Sequence, residues 1–258
     1  MRDIGYFLGD EVIVNEKYVN KTLYTLASDS SGKVAYKMNE HGYRSKSFKD
    51  KSKYNILTLG CSWTMGIGVE EEATWPALIA DKLQGTLFNY AMYGVSTSFI
   101  AKNYYKILKT GIIPDVTLIM WPGFSRRDYI TEAGEFRKIG GFRMATKDDP
   151  VWRNSEEDLL FLQLRNDNQD LMEFWEAYNF VETVSKLHNT KVFHTVAGYY
   201  YQVYKNLKPK LESTINYHTF YEPEDCYQND SKAEDEQHPG RMWHKTFADT
   251  FYNFIKNK

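Results

Sequence analysis

Short apolar runs alternate with longer amphipathic stretches through most of this chain. Five runs have the length of strands, the fifth being the weakest: 54–59, 87–91, 115–121, 191–196 and 215–220. Helical patterns follow most of them: 74–83, 96–109, 171–187 and 241–255. The run at 115–121 is almost continuously apolar, as expected of a strand covered on both faces. The alternation predicts an α/β fold with a parallel sheet, right-handed crossovers and helices on both faces.

Two regions depart from this alternation. Residues 1–50 are polar and irregular, with weak strand signals at 11–14 and 33–37 and a turn-like stretch at 39–44 that we expect beside the first strand. Residues 123–168 are charged and mixed, and a long irregular stretch inside a compact domain is usually functional or mobile. We therefore predict one domain over 1–258, with an N-terminal extension 1–50 and an insertion at about 123–168 that covers the site.

Composition argues against several classes of protein. The formal net charge is −2, whereas nucleic-acid binders usually have an excess of basic residues. No apolar run approaches the roughly 18 residues of a membrane span. The amino terminus lacks the apolar run of a secretory signal, so a soluble, cytoplasmic protein is the default expectation. Two cysteines provide no disulfide framework, and the histidines lack metal-ligand spacing. We expect no metal or organic cofactor, and the oligomeric state stays open.

The first strand ends in a Gly-x-Ser motif, Gly60 to Ser62, at the start of a predicted helix. Far downstream, Asp235 and His238 stand three residues apart. A serine hydroxyl is a poor nucleophile until a base accepts its proton and an acid orients that base. Ligand sites of parallel sheets lie beyond the carboxyl ends of the strands, where Ser62 is predicted. The chain is therefore a candidate serine hydrolase.

Several blocks resemble the SGNH (GDSL-like) hydrolase family. The segments GYR (42–44), ILTLGCSWTMGIGV (56–69) and EATWP (72–76) are similar to the family run GFR, ILxLGDSFTxGxGV and ETxP. NYAMYG (89–94) and DEQHP (235–239) are similar to its NxGxxG and DxxHP blocks. The resemblance covers about 39–121 and 233–257, and it implies a flavodoxin-like three-layer α/β/α fold with a parallel sheet of about five strands.

The resemblance also implies roles for individual residues. Ser62 would be the nucleophile, His238 the base and then the acid, and Asp235 the residue that orients His238. The backbone N–H groups of Ser62 and Gly94 would form the oxyanion hole. The implied substrate is a short-chain ester or an O-acetyl group, including one on a carbohydrate. No nucleic-acid or membrane partner is implied.

Two positions depart from the family pattern. The Asp before the nucleophile is replaced by Cys61, and the Gly-x-Asn-Asp of the third block is replaced by MWPGFS (120–125). That Asn is the family's side-chain oxyanion donor, and loss of one such donor typically costs about 3–4 kcal/mol of transition-state stabilisation. Ser125 or Asn103 are candidates to replace it, and the sequence does not choose between them.

Residues near the predicted turn are candidates for lining a substrate pocket: Cys61, Trp63, Trp121, Ser125 and Arg126. For Cys61 and the tryptophans, a place in the core around the turn is the competing interpretation. Three alternatives to hydrolysis stay open. The chain could be a binding or structural module that recognises a glycan or a protein, an enzyme centred on Cys61, or an acyltransferase that uses the same residues.

Overall fold

The computed structural model describes residues 18–24, 34–50, 52–130, 136–139, 166–197, 201–212, 215–223, 232–233 and 238–258. Its strands are β1 (Thr22–Tyr24), β2 (Ala35–Lys37), β3 (Asn55–Gly60), β4 (Thr86–Asn89), β5 (Val116–Trp121), β6 (Arg127–Ile130), β7 (Phe136–Ile139) and β8 (Lys191–Val196). Its α-helices are α1 (Ser62–Met65), α2 (Trp75–Lys82), α3 (Thr97–Lys109), α4 (Asp167–Leu187), α5 (Tyr201–Leu211) and α6 (Arg241–Lys256).

A four-stranded parallel sheet in the order β4-β3-β5-β8 forms the centre of the fold. The chain steps one way from β3 to β4 and the other way from β4 to β5 and β8. Because right-handed crossovers that run in opposite directions place their helices on opposite faces, α2 covers one face and α3 and α4 the other. Helix α6 packs on α2, and α4 packs on α3. The predicted three-layer α/β arrangement is confirmed.

Polar caps start the helices where the sequence places them. Thr74 accepts a hydrogen bond from the N–H of Ala77 at 3.5 Å, and Ser96 accepts one from the N–H of Phe99 at 3.0 Å. Asn166 caps α4 through the N–H of Gln169 at 3.0 Å, so this helix begins four residues earlier than its apolar pattern indicates. Every residue of β5 is buried, as predicted for a strand covered on both faces.

The fifth predicted strand is wrong. Residues 215–220 form a turn, and the only pairing described there is one parallel bridge between Phe220 and His194 at the edge of β8. Helix α5 was not predicted, and Pro209 inside it is a residue that usually ends or kinks a helix. The predicted strand at 11–14 lies outside the described residues.

Residues 1–50 and 123–168, which depart from the alternation of strands and helices, each contain a pair of antiparallel strands. In the extension, β1 and β2 pair antiparallel. In the region predicted as an insertion, β6 and β7 pair antiparallel, and residues 131–135 and 140–165 lie outside the described part of the chain. Arg127 on β6 forms buried ion pairs with Asp170 and Glu173 of α4, which tie the first strand of this hairpin to the body of the fold.

Candidate functional site

Strand β3 delivers Ser62 to the carboxyl edge of the sheet, as predicted. The strand ends at Gly60, Cys61 occupies the N-cap position, and Ser62 is the first residue of the single-turn helix α1. Ser62 is 6% exposed, and its hydroxyl makes no hydrogen bond to any described residue. Among the described residues, none therefore fixes the direction of this hydroxyl proton.

Gly60 allows this turn to fold tightly against the sheet. A Cβ atom at this position would lie 2.1 Å from Oγ1 of Thr64 and 2.9 Å from the carbonyl oxygen of Met120. Real Cβ atoms do not approach neighbours this closely, so any side chain at position 60 would push α1 away from β3 and β5. The glycine of the Gly-x-Ser motif therefore has a packing role that sets the position of Ser62.

Parallel pairing brings the loop with Gly94 to the same edge of the sheet as Ser62. Thr58 on β3 is paired with Asn89 on β4, and beyond the strand ends the N–H of Met92 donates to the carbonyl of Gly60 at 3.1 Å. Gly94 follows Met92 by two residues, just as Ser62 follows Gly60. Gly94 has φ of +71°, and a Cβ placed there would meet no described atom within 4 Å. Its backbone therefore borders open space beside the nucleophile turn.

The backbone N–H groups of Ser62 and Gly94 donate no hydrogen bond to another described residue. The N–H groups at the start of a helix lack intrahelical acceptors, and Ser62 is in such a position. Buried or half-buried donors without a protein partner can bind an oxygen of a ligand. The two donors that the resemblance implies are thus both available at the same edge of the sheet.

Arg44 is central to this turn, although the sequence showed it only as part of the GYR block. Its guanidinium is almost fully buried and donates to the carbonyls of Met65 (3.2 Å), Gly66 (2.7 Å) and Val69 (2.9 Å). It also lies 4.2 Å from the centre of the Tyr36 ring. Burial lowers the pKa of Arg44. The planar fork of arginine suits several carbonyls at once, and it fixes the chain that leaves Ser62.

The N-terminal extension forms a small second core over the same edge. Its buried side chains pack against residues from the two loops that carry Ser62 and Gly94, and the cluster contains Tyr18, Val34, Tyr36, Met38, Met65 and Ala91. The hydroxyl of Tyr36 accepts a hydrogen bond from the N–H of Gly68 at 2.7 Å. The stretch 39–44 was expected beside the first strand. It lies at the carboxyl edge instead, where His41 bonds the hydroxyl of Tyr90 at 2.8 Å.

The segment with His238 approaches from the side of α6. The ring of Trp243 meets Trp63, the neighbour of Ser62, edge to face at 5.1 Å between centroids. Arg241 pairs with Glu70 in the loop after α1, with Nε and Oε2 2.7 Å apart. His238 is half-buried and its carbonyl accepts from the N–H of Ala233 at 2.8 Å. The two distant parts of the sequence therefore meet beside the nucleophile turn.

The catalytic triad itself is not assembled by described contacts. Asp235 lies outside the described residues, and no described hydrogen bond joins the hydroxyl of Ser62 to His238. Hydrogen bonds between catalytic groups are often long or poorly aligned without substrate, so this geometry leaves His238 a candidate base. The roles of Ser62, His238 and Asp235 stay predictions.

A second histidine lies beneath the site. His244 is fully buried, and its Nδ1 accepts a hydrogen bond from the N–H of Trp75 at 3.1 Å. Burial, with a smaller contribution from the nearby charge of Arg44, lowers the pKa of His244 to about 3. His244 is therefore neutral at physiological pH, with its remaining proton on Nε2, and it belongs to the core.

Two of the candidate pocket residues lie in the core, which was the competing interpretation. Trp121 is 0% exposed, and its indole N–H donates to Nδ1 of His194 at 3.2 Å, so it is part of the core beneath the strand end. Cys61 is also fully buried at the N-cap of α1, which makes its thiol inaccessible to a substrate. Both are apolar enough to be excluded from water by the packing of helices on the sheet.

The other three candidates differ in their exposure. Trp63 is half-buried and Ser125 is half-buried in the turn that follows β5, whereas Arg126 is 6% exposed. Asn103 is fully buried in α3 and donates to the hydroxyl of Tyr43 at 3.0 Å, so it is not available as an oxyanion donor. Ser125 is therefore the better candidate to replace the missing third-block Asn.

Other kinds of site are not found in the described part of the chain. It contains no cluster of three or more histidine, cysteine or acidic side chains that could hold a metal ion. None of the described helices is long and apolar enough to cross a membrane.

Neither the known family models nor the curated proteins match this sequence. Solved structures similar to it include a lipolytic protein of the G-D-S-L family from Veillonella parvula (TM-score 0.45, 14% identity, 80% of this chain and 100% of that one). A carbohydrate esterase family 2 enzyme with a carbohydrate binding domain, from Corynascus thermopiles, has a TM-score of 0.49 at 11% identity over 81% and 67% of the chains.

An acetyl xylan esterase from the rumen bacterium Butyrivibrio proteoclasticus has a TM-score of 0.46 at 13% identity, over 80% of this chain. This chain spans 64% of that esterase's length. At these identities the similarity concerns the arrangement of helices and strands, not the residues of the site.

Proposed function

We propose that this protein is a serine esterase that cleaves a short-chain ester or an O-acetyl group by acyl transfer. The observation that carries the proposal is the parallel pairing of β3 and β4. It brings the Ser62 hydroxyl and the backbone N–H groups of Ser62 and Gly94 to one edge of the sheet. Neither N–H donates to a described residue, and Gly94 borders open space. A nucleophile next to two preorganised donors is the arrangement that acyl transfer to serine requires.

In the proposed reaction, His238 accepts the hydroxyl proton of Ser62 as Oγ attacks the ester carbonyl. The oxyanion that forms accepts hydrogen bonds from the N–H groups of Ser62 and Gly94. As the carbon–oxygen bond to the alcohol breaks, His238 returns the proton to the leaving oxygen. Water, deprotonated by His238, then attacks the acyl-enzyme, and the acid leaves as the acyl–oxygen bond breaks and His238 returns the proton to Oγ of Ser62. Asp235 would hold the imidazole in the tautomer that accepts from serine.

The sequence departs from the family at the third donor, and Ser125 is proposed to supply it. Strand β5 is the neighbour of β3, so the turn after β5 lies at the same edge as Ser62. Its hydroxyl has no described hydrogen-bond partner. A serine hydroxyl is a donor like the amide that it replaces, although its reach is shorter. Loss of this donor in Ser125→Ala is expected to lower kcat by roughly 100-fold.

The experiment compares Ser62→Ala with Ser52→Ala. Ser52 lies at the opposite edge of the sheet, before β3, and it is exposed. We expect Ser62→Ala to abolish turnover of nitrophenyl acetate and labelling by a fluorophosphonate, with unfolding temperature unchanged, while Ser52→Ala behaves as wild type. Wild-type protein that neither turns over the ester nor labels at Ser62 would reject the proposal.

A second function that uses the same residues is acyl transfer to an alcohol other than water. The half-buried Trp63, packed edge to face on Trp243 next to Ser62, is the specific observation that favours it, because an aromatic ring can stack on a sugar acceptor. The test adds xylose or xylo-oligosaccharides to the ester assay and follows acetylated sugar by mass spectrometry. An acceptor-dependent acetylated product supports transfer, and free acetate alone supports hydrolysis.

Because the third-block Asn is absent, these experiments also test whether the protein is a binding module instead of an enzyme. A protein that fails to label Ser62 but binds a glycan would be such a module. The cysteine-centred alternative is disfavoured, since Cys61 is fully buried. Iodoacetamide is accordingly expected to leave esterase activity unchanged.

A further inference from the structure

Asn89, the last residue of β4, connects three parts of the site. Its Oδ1 accepts hydrogen bonds from the hydroxyl of Thr58 on β3 (3.0 Å) and from the N–H of Ala91 in the loop that leads to Gly94 (3.2 Å). Its Nδ2 donates to the carbonyl of Thr64 in helix α1 at 3.0 Å. The side chain is 3% exposed. One buried amide therefore bridges the turn that carries Ser62 and the loop that carries Gly94.

The orientation of this amide is fixed by its partners. The N–H of Ala91 can only donate and the carbonyl of Thr64 can only accept, so the oxygen must face the Gly94 loop and the nitrogen must face α1. No other side chain type of this size offers both a donor and an acceptor in that geometry. Aspartate keeps the acceptor but loses the donor, and leucine loses both.

We propose that Asn89 is a positioning residue that fixes the separation of the two oxyanion donors. Thr64 lies two residues after Ser62, and Ala91 lies three residues before Gly94, so each hydrogen bond acts on one donor through a short stretch of backbone. The inference rests on the proposed function for its effect on rate. Its effect on backbone geometry is independent of any activity.

The test compares Asn89→Asp and Asn89→Ala with the matched variant Thr58→Val. Thr58 is buried and bonds the same Oδ1, but its replacement leaves both links from Asn89 to the two loops in place. We expect Thr58→Val to lower stability with kcat within about twofold of wild type. For the Asn89 variants we expect kcat to fall by about 10- to 100-fold with KM nearly unchanged, because misplaced groups lose transition-state contacts.

A second readout is the ¹H–¹⁵N spectrum of each variant. The amide resonances of Ser62 and Gly94 are expected to move in both Asn89 variants and to stay in place in Thr58→Val. Folded Asn89 variants in which kcat and both resonances match those of Thr58→Val would overturn the proposal. If wild type shows no esterase activity, the proposed function fails, and the two resonances alone decide the role of Asn89.

Should neither Asn89 variant fold, the wild-type protein provides the measurement. The side-chain amide protons of Asn89 are expected to exchange slowly with solvent, because the group is buried and bonded to Thr64. They are also expected to shift when Ser62 is phosphonylated, or when phenylboronic acid occupies the site of a protein that resists the fluorophosphonate. Rapid exchange, or no shift on occupancy, would contradict the positioning role.

Discussion

The turn that carries Ser62 and the segment that carries His238 are held in different ways. The turn is fixed from inside the fold, by three hydrogen bonds from Arg44, by Asn89 and by the close contact that Gly60 permits. The segment after His238 is held by the exposed pair of Arg241 with Glu70 and by the ring of Trp243, itself buried, against Trp63. Mutations at the turn are therefore expected to affect stability and activity together, whereas those at His238 and Arg241 are expected to affect mainly activity.

The largest expected effect is on the histidine side of this comparison. His238→Gln is expected to lower kcat by at least about 10³-fold with little change in unfolding temperature, because a triad histidine carries the proton in both half-reactions. His188→Gln, at the half-buried end of α4, is the control and should match wild type. Ester hydrolysis and thermal unfolding measure the two quantities. An active His238→Gln variant would remove the histidine from the mechanism.

The serine side is tested by Gly60→Ala. The added methyl would collide with Thr64 and the carbonyl of Met120, so we expect a loss of about 1–3 kcal/mol in the free energy of unfolding together with loss of activity. Gly85→Ala is the matched control, since a Cβ there lies 2.6 Å from Cδ1 of Ile56 but at the opposite edge of the sheet. It should lower stability and keep kcat. If Gly60→Ala and Gly85→Ala had equal kcat, the packing of the Ser62 turn would have no specific effect on activity.

The buried His244 predicts a dependence of stability on pH. Its pKa of about 3 in the folded protein lies below the ordinary value of 6.5, so the unfolded chain binds the proton first as pH falls. Stability is therefore complete above about pH 6.5 and decreases below it, by about 2 kcal/mol between pH 7 and pH 5 for one such histidine. Burial also lowers the pKa of His194, which adds a loss in the same direction.

Chemical denaturation at both pH values measures this loss. In His244→Asn the amide oxygen can accept from the N–H of Trp75 without titrating, so the slope with pH should become shallower than in wild type. His194, which lies 3.1 Å from Glu182, is unchanged in this variant and should retain its own share of the slope. An unchanged slope in His244→Asn would mean that His244 is not the titrating group.

The smallest effect is expected at the surface contact between the two regions. Arg241→Gln removes the pair with Glu70, and exposed ion pairs contribute about 0–1 kcal/mol to stability. We expect a decrease in kcat of roughly two- to tenfold, because the pair helps to orient the segment after His238. Lys82→Gln breaks a comparable exposed pair with Asp249, 2.9 Å apart, between α2 and α6. This control should leave kcat unchanged; a similar decrease in both variants would argue against a specific role.

Local patterns in the sequence determined the framework of this protein. The apolar run of β5, the helices that begin near Thr74 and Ser96 and the Gly-x-Ser turn each depend on neighbours within a few residues, and the structure places them as predicted. The same reasoning failed at 215–220, where one bridge to His194 replaces the expected strand. A short apolar stretch becomes a strand only if a neighbour offers enough hydrogen bonds, and the sequence does not contain that information.

Only the tertiary structure decided which polar groups serve the site. Arg44 and Asn89 are far from Ser62 in sequence, and they reach its turn through strand pairing and packing. The sequence offered Trp121 as a pocket residue and Asn103 as an oxyanion donor, but both are fully buried in the core. The reason is that a hydrogen bond or a buried side chain depends on distances in three dimensions, whereas a sequence motif records only the spacing along the chain.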